Sequence, residues 1–383
     1  MDFILGLGII LIISALSSKA SGKFGVPVLV GFAVIGIFIG NWYEFASFSV
    51  VEHICDFALL MIIFTGGFET NFARAKPVLA ISSVLSVAGT VLTAAIAGGF
   101  AYYVMGFDFY PAMLLGAIIS ATDAESVFAV LRSKQMGLKK NLAPVLEIES
   151  GSNDPFAHML TLLLISLAKG GSHNIALFLL LELGLGIISG VVFAWLGRFI
   201  INRLNVDMDG LYAVLLLGTA FVTYGAAAQL GGNGFLAVYI GGIMMGNGTL
   251  VYKRFLSRLY STISVHMQIL LFIVLGVLCI PSSILSVAWS GVLFAAFLLL
   301  IARPLVMLIL MKPFRRPMRE IALVSWAGFR GASSIVFATH LLISGLPYAE
   351  LVFSIVFFVC MLSVIVQGIS IVPFAKKLGL VED

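Results

Sequence analysis

Charge is what this sequence has least of. Of its 383 residues only 10% are charged, against about 25% in an ordinary soluble domain, while 61% are hydrophobic and the mean hydropathy is +1.13. That balance excludes a water-soluble globular enzyme and leaves a chain whose solvent is lipid. Cysteine is also scarce. Cys55, Cys279 and Cys360 each sit in an apolar run, with neither a CxxC nor a Cys/His spacing, so the pattern indicates no disulfide framework and no zinc site and leaves them to packing. A basic leader is missing as well: the apolar stretch from Met1 to Ser18 carries Asp2, and its first basic residue, Lys19, follows it. It is therefore expected to be an uncleaved first span and not a secretory signal.

What is present is a succession of apolar stretches separated by charged or Gly/Pro-marked loops. A spanning helix needs about 20 apolar residues, and thirteen spans are expected: 3–18, 25–41, 50–69, 78–104, 111–131, 142–168, 174–200, 211–229, 233–248, 259–280, 286–311, 320–343 and 349–374. The fold class is all-α and polytopic, with no soluble domain. Basic residues support the count, because lysine and arginine collect on the cytoplasmic side of a bilayer. They follow every odd-numbered span: Lys19 and Lys23, Arg74 and Lys76, Arg132 to Lys140, Arg198 and Arg203, Lys253 to Arg258, Lys312 to Arg319, Lys376 and Lys377. The alternate loops hold almost none, which places the N-terminus outside and the C-terminus in the cytoplasm. The net charge of +4 follows from this asymmetry and calls for no nucleic-acid partner. An odd count suits two inverted repeats of six spans joined by span 7 as a linker helix.

Acids inside spans are expensive, about 2.5 to 3.5 kcal/mol at a helix centre, and mark function by default. Asp123 lies twelve residues into span 5 from Pro111, and Asp154 twelve residues into the antiparallel span 6. At 1.5 Å per residue both are roughly 18 Å deep, near the middle of a hydrocarbon core of about 30 Å. Short polar residues around Asp123, in Ser120-Ala121-Thr122-Asp123, compete for backbone hydrogen bonds and favour an opened turn whose carbonyls bind a cation. In Glu147-Ile148-Glu149-Ser150-Gly151-Ser152-Asn153-Asp154-Pro155, Ser150 and Asp154 share a helix face. Oxygen ligands suit hard cations. A carboxylate withdrawn from water favours its neutral form, so Asp154 can take a proton and a cation alternately, and that competition is already an exchange mechanism.

Arg330, about ten residues into span 12, is read as the one deeply buried base, with Glu149 as its ion-pair partner. Glu147 lies nearer the cytoplasmic end, as an entry residue. His158, one turn beyond Asp154, is either a pH-sensitive neighbour or a satisfied core histidine. Asp56, Glu69 and Glu182 fall near span ends and suit the interface. Thr122, Ser150 and Asn153 also admit a plainer role as small packing residues.

At three segments, SATDAESVFAVL (120–131), EIESGSNDP (147–155) and SWAGFRGASSIVFA (325–338), the chain resembles the cation:proton antiporter-1 family, which includes sodium/proton exchangers and bacterial NhaP-type antiporters. The resemblance covers nearly the whole chain, and with the closing FFVCMLSVIVQG it leans toward bacterial potassium/proton antiporters. It implies an NhaA-like fold with spans 5 and 12 unwound and crossed, and a homodimer with a dimerisation part (1–69 and 211–280), an ion-transporting core (78–168 and 286–374) and a linker helix (174–203). It also implies elevator-type exchange in a bacterial inner membrane, with lipid, monovalent cations and protons as partners and no cofactor. By motif, Asp154, Asp123, Ser150 and the Thr122 main chain would form the ion site, Asn153 would support it, and Glu149 would pair with Arg330. Asn153 before Asp154, where electrogenic relatives carry two aspartates, implies one-for-one electroneutral exchange. Two departures stand out. Many members have an acid before the Gly66-Gly67 pair where this chain has Thr65, with Glu69 the nearest acid. Many also continue into a cytoplasmic regulatory domain, whereas this chain ends nine residues after span 13.

Two other classes remain in view. A monovalent cation channel without proton coupling would need a carbonyl filter, and no repeated filter sequence is present. An intramembrane aspartyl protease would share a proton between two aspartates, but the Gly-x-Gly-Asp motif is absent.

Overall fold

In hydrocarbon every backbone N–H and C=O has to be satisfied within the protein, which leaves a chain this apolar little choice but helices. The computed structural model describes Gly8, Ile12 and residues 27–42, 48–171, 174–204 and 208–382. Among them the only β feature is an antiparallel bridge between Leu138 and Val381. The expected span 3–18, with Lys19 and Lys23, lies outside the described residues apart from Gly8 and Ile12.

The remaining twelve expected spans fall on helices. They are α1 (Pro27–Trp42), α2 (Phe48–Glu69), α3 (Leu79–Tyr103), α4 (Phe109–Ile119) with α5 (Ala124–Ser133), α6 (Leu142–Ala168), α7 (Ile175–Arg203), α8 (Asp209–Gln229), α9 (Gly234–Asn247), α10 (Lys253–Val277), α11 (Ala288–Phe297) with α12 (Arg303–Met311), α13 (Met318–Trp326) with α14 (Ala332–Ile343), and α15 (Ala349–Lys377). Eight stretches are long and apolar enough to cross a membrane. The 27-residue α6 is about 40 Å long at 1.5 Å per residue. It is not among the eight, because it carries the polar run from Glu147 to Asp154.

Three expected spans are interrupted. Spans 5 and 12 open at residues 120–123 and 327–331. Span 11, expected to be continuous, contains a π-helical turn over Leu298–Ala302 in which the Arg303 N–H reaches back five residues to Leu298. Pro304 follows directly, has no N–H to continue the α ladder, and the ladder slips by a residue ahead of it. Such π turns re-aim side chains, and here the one redirected is Arg303.

Packing divides these helices into two groups. One is built from α1 on α10, α2 on α9 and α10, and α7 and α8 around α9; the other from α3 on α4, α6 and α12, with α14 and α11 on α15. The groups meet along a seam where α2 and α9 face α6 and α14. The three cysteines are buried and unpaired, in keeping with packing.

At α2 and α9 backbones come together closely enough to forbid side chains. A Cβ on Gly242 would run into the Phe64 carbonyl, and one on Gly67 into that of Tyr239, the small-residue contact by which membrane helices approach. Gly242→Leu is expected to force these helices apart at a cost of about 1 to 3 kcal/mol, read as a lower unfolding midpoint of the detergent-solubilised protein, whereas Gly184→Ala, with open space around it, leaves the midpoint unchanged.

Candidate ion-binding site

The two interrupted spans break at the same place in the bundle. Ser120, Thr122 and Asp123 compete with the helix for backbone partners, and α4 stops at Ile119. In the other span, Gly328 and Gly331 flank the opening between α13 and α14. The openings touch: the Asp123 N–H donates to the Phe329 carbonyl at 2.9 Å. Gly331 is required there, since a Cβ would collide with the Asp123 carboxylate.

The freed backbone groups are then satisfied one by one. Asp123 caps α5, its carboxylate accepting from the Ser126 N–H (3.1 Å) and hydroxyl (2.6 Å), which also sets a negative group at the positive end of a helix. Arg330 does the converse for α4, its guanidinium donating to the carbonyls of Ser120 (2.9 Å) and Ala121 (2.8 Å). The Arg330 N–H donates to Ser363, which donates to Gln367, whose amide donates to the Trp326 carbonyl. Ser150 spans the first opening, donating to the Thr122 carbonyl (2.7 Å) and accepting from the Ala124 N–H (2.8 Å).

Glu149 lies behind the opening and is almost fully buried. Its ion-pair partner is Arg303, at 2.8 Å, and not Arg330 as expected. The π turn delivers Arg303 from α12, and Gly328 leaves room for it, since a Cβ there would press on its guanidinium. Arg330 is therefore not the only deeply buried base: Arg303 is 1% exposed and Arg330 0%. Asn153 fastens the assembly, donating to the Thr122 hydroxyl and the Glu149 carboxylate while its carbonyl faces the Thr122 N–H at 3.5 Å.

Asp154 differs from all of these. It is 8% exposed, and its Oδ1 has no hydrogen-bond partner in the protein. It sits, with Asp123, Thr122, Ser150 and Gly151, in a cleft of about 110 Å³ between the two helix groups. Pro155 has no N–H to give the Gly151 carbonyl, so a main-chain oxygen lacking its helical donor belongs to the same wall. The sequence reading missed it, although a proline four residues after a glycine was signal enough. Toward the basic loops the cleft is lined by Glu69, Glu147, Glu125 and Arg132, with Arg132 and Glu125 paired at 3.2 Å. Glu69 and Glu147, expected as accessory residues, are thus at its mouth. Thr65 is buried, its hydroxyl unpartnered, and is not part of the lining.

In the other direction, one turn beyond Asp154, His158 packs among Phe235 (4.9 Å between ring centres), Phe337 (5.3 Å) and His340 (5.1 Å). Around the openings, three carboxylates (Asp123, Glu149, Asp154) stand against two guanidiniums (Arg303, Arg330).

The sodium/hydrogen exchanger transmembrane family model matches residues 8–377. The chain is 33% identical over 98% of its length to a K(+)/H(+) antiporter NhaP from Alkalimonas amylolytica and 33% identical over 95% to a K(+)/H(+) antiporter NhaP2 from Shewanella oneidensis. It spans 67% and 65% of the length of those relatives. A Na(+)/H(+) antiporter NhaP from Pseudomonas aeruginosa is 28% identical over 85% of the chain, which spans 81% of it. In fold, the sodium proton antiporter MjNhaP1 from Methanocaldococcus jannaschii superposes with a TM-score of 0.85 at 21% identity, with 99% of each chain covered.

Removing one member of a buried pair strands the other's charge, which costs about 3 to 5 kcal/mol. Arg303→Ala is expected to destabilise the protein by that amount, and Arg303→Met combined with Glu149→Gln to recover most of it, measured by thermal unfolding in detergent. The pairing assigned here is wrong if Arg303→Ala unfolds like the unaltered protein.

Proposed function

The chain belongs to the sodium/hydrogen exchanger family, and from that membership we propose that it is a secondary transporter exchanging a monovalent cation for protons at Asp154. The observation that carries this reading is the unpartnered Asp154 oxygen in a cleft lined by Asp123, Thr122 and Ser150. Every other buried acid at the openings has its hydrogen bonds or a guanidinium. Asp154 has a whole oxygen to spare, and a proton and a cation compete for it. The Gly151 carbonyl and the free faces of Asp123 and Thr122 supply further oxygens, suited to a hard cation. Potassium is the favoured cargo, because the relatives at 33% identity are named potassium/proton antiporters; sodium is the second reading, from the Pseudomonas relative.

The charge inventory supports one-for-one stoichiometry. Three carboxylates against two guanidiniums leave one negative charge, and one proton or one monovalent cation cancels it. A neutral core crosses an apolar barrier at far less cost than a charged one, so only the loaded forms travel and the two cargoes move in opposite directions. The seam between the helix groups supports elevator-type motion: α3 to α6 and α11 to α15 carry the openings, while α1, α2 and α8 to α10 form a frame suited to dimerisation and α7 a linker. In this reading the two broken spans are inverted counterparts, the basic loops face the cytoplasm of a bacterial inner membrane, and the cleft is open inward. A channel would need a path open to both faces at once, and nothing in the site favours one.

Purified protein in liposomes with an internal pH dye is expected to move protons when potassium or sodium is added outside, and Asp154→Asn to fall to the background of empty liposomes. Exchange by Asp154→Asn at the rate of the unaltered protein would end the proposal. Clamping the membrane potential at either sign is expected to leave the initial rate unchanged, and a rate that follows voltage would remove the one-for-one stoichiometry while leaving exchange intact.

A further inference from the structure

The seam between the two helix groups has two ends. At one lies the cleft. At the other, α2 and α14 are joined by a contact between the Nε2 of His340 and the Asp56 carboxylate at 2.9 Å. Asp56 is thirteen residues up α2 from Glu69, about 20 Å from the cleft's mouth at 1.5 Å per residue. One turn from Asp56 on the same helix is Glu52, and one ligand atom from each of Glu52, Asp56 and His340 lies within 4.8 Å of the others. All three are half-buried, so the group is reachable from that face.

An ion pair accounts for only part of this arrangement. It uses one nitrogen of His340 and leaves the ring's buried Nδ1 with no partner. It gives no role to Glu52. Beside it stands His158, 8% exposed, whose own Nδ1 is also unpartnered and whose ring centre is 5.1 Å from that of His340. An imidazole and two carboxylates from two helices make a donor set suited to zinc-class divalent cations. Zinc bonds of 2.0 to 2.2 Å place tetrahedral ligands about 3.4 Å apart, so closure by roughly an ångström completes three positions and leaves the fourth to water. A ligating histidine also needs an acceptor for its second nitrogen, and His158 is the neighbour placed to provide one.

We propose that Glu52, Asp56 and His340 bind a divalent first-row transition cation of the zinc class, which staples α2 to α14 at the end of the seam away from the basic loops. Since Glu52 and Asp56 come from one helix group and His340 from the other, the metal holds the protein with its cleft open toward the basic loops. Its effect on transport rests on the elevator reading above; its binding does not.

Calorimetric titration of the detergent-solubilised protein with zinc chloride is expected to show one tight site, weakened at least tenfold in Asp56→Ala and in His340→Ala. Asp56→Asn and His340→Gln, which keep the shape of each side chain, are expected to unfold near the temperature of the unaltered protein and to lose the site equally. The exposed His53→Ala is expected to bind as before, and magnesium, which holds its water and prefers octahedral oxygen, to give no heat. In liposomes, zinc added at the face away from the basic loops is expected to stop exchange by the unaltered protein and to spare His340→Gln. Zinc affinity unchanged in both the Asp56 and His340 variants, or lost only in His53→Ala, overturns the metal site whatever the transport assay gives. Tight binding that depends on Asp56 and His340 but leaves working exchange untouched overturns the staple.

Discussion

Two lengths of backbone stripped of helical hydrogen bonds are held in the middle of an apolar bundle, and the rest of the structure depends on their groups being paired. An unsatisfied peptide group in such surroundings costs several kcal/mol. The pairing is therefore distributed over every element within reach: Arg330 on the carbonyls ending α4, Asp123 on the amides beginning α5, Ser150 across the gap, and the Ser363–Gln367 chain on the carbonyl ending α13. The charges this requires bring in more. Glu149 and Asn153 hold Thr122, and Glu149 in turn needs Arg303.

Against that background Asp154 is informative because it takes no part. Ser150, Asn153, Glu149 and Asp123 are spent on holding the openings, and that frame fixes where the carboxylate of Asp154, with its unpartnered Oδ1, stands. For Ser150 the sequence suggests a ligand, and its hydroxyl, which lines the cleft, donates to the Thr122 carbonyl and accepts from the Ala124 N–H with one lone pair left over. In the reading proposed above, the groups that would face a cation are Asp154, Asp123, Thr122, Ser150 and the Gly151 carbonyl, all on residues that line the cleft.

Much of this was legible in the residues alone. Twelve of the expected spans fall on helices because apolar length is a strong signal, and Asp123 and Asp154 stand together in one cleft, as a carboxylate so deep in an apolar run suggested. Arg303 was not. It lies inside a long apolar run, and which side of the helix it faces is decided by a π turn that the residue pattern does not announce, so Glu149 was assigned to the more conspicuous Arg330. The Asp56–His340 contact was hidden for another reason. Its partners are 284 residues apart and each lies near the end of its span, where a polar residue ordinarily meets the interface. The openings themselves were visible only as clusters of serine, threonine and glycine until the family resemblance gave them a shape.

On the one-for-one reading, the charge inventory of the core would set a limit on what the protein can achieve for a cell. If the loaded site is neutral, membrane voltage performs no work on the cycle, and the only drive is the difference in proton concentration. One pH unit is worth about 1.4 kcal/mol, enough for a tenfold ratio of cation and no more. At equal pH on both sides such a carrier levels the cation instead of pumping it, so it acts as a valve on the pH gradient, and steep accumulation or expulsion would have to come from a protein that spends voltage as well.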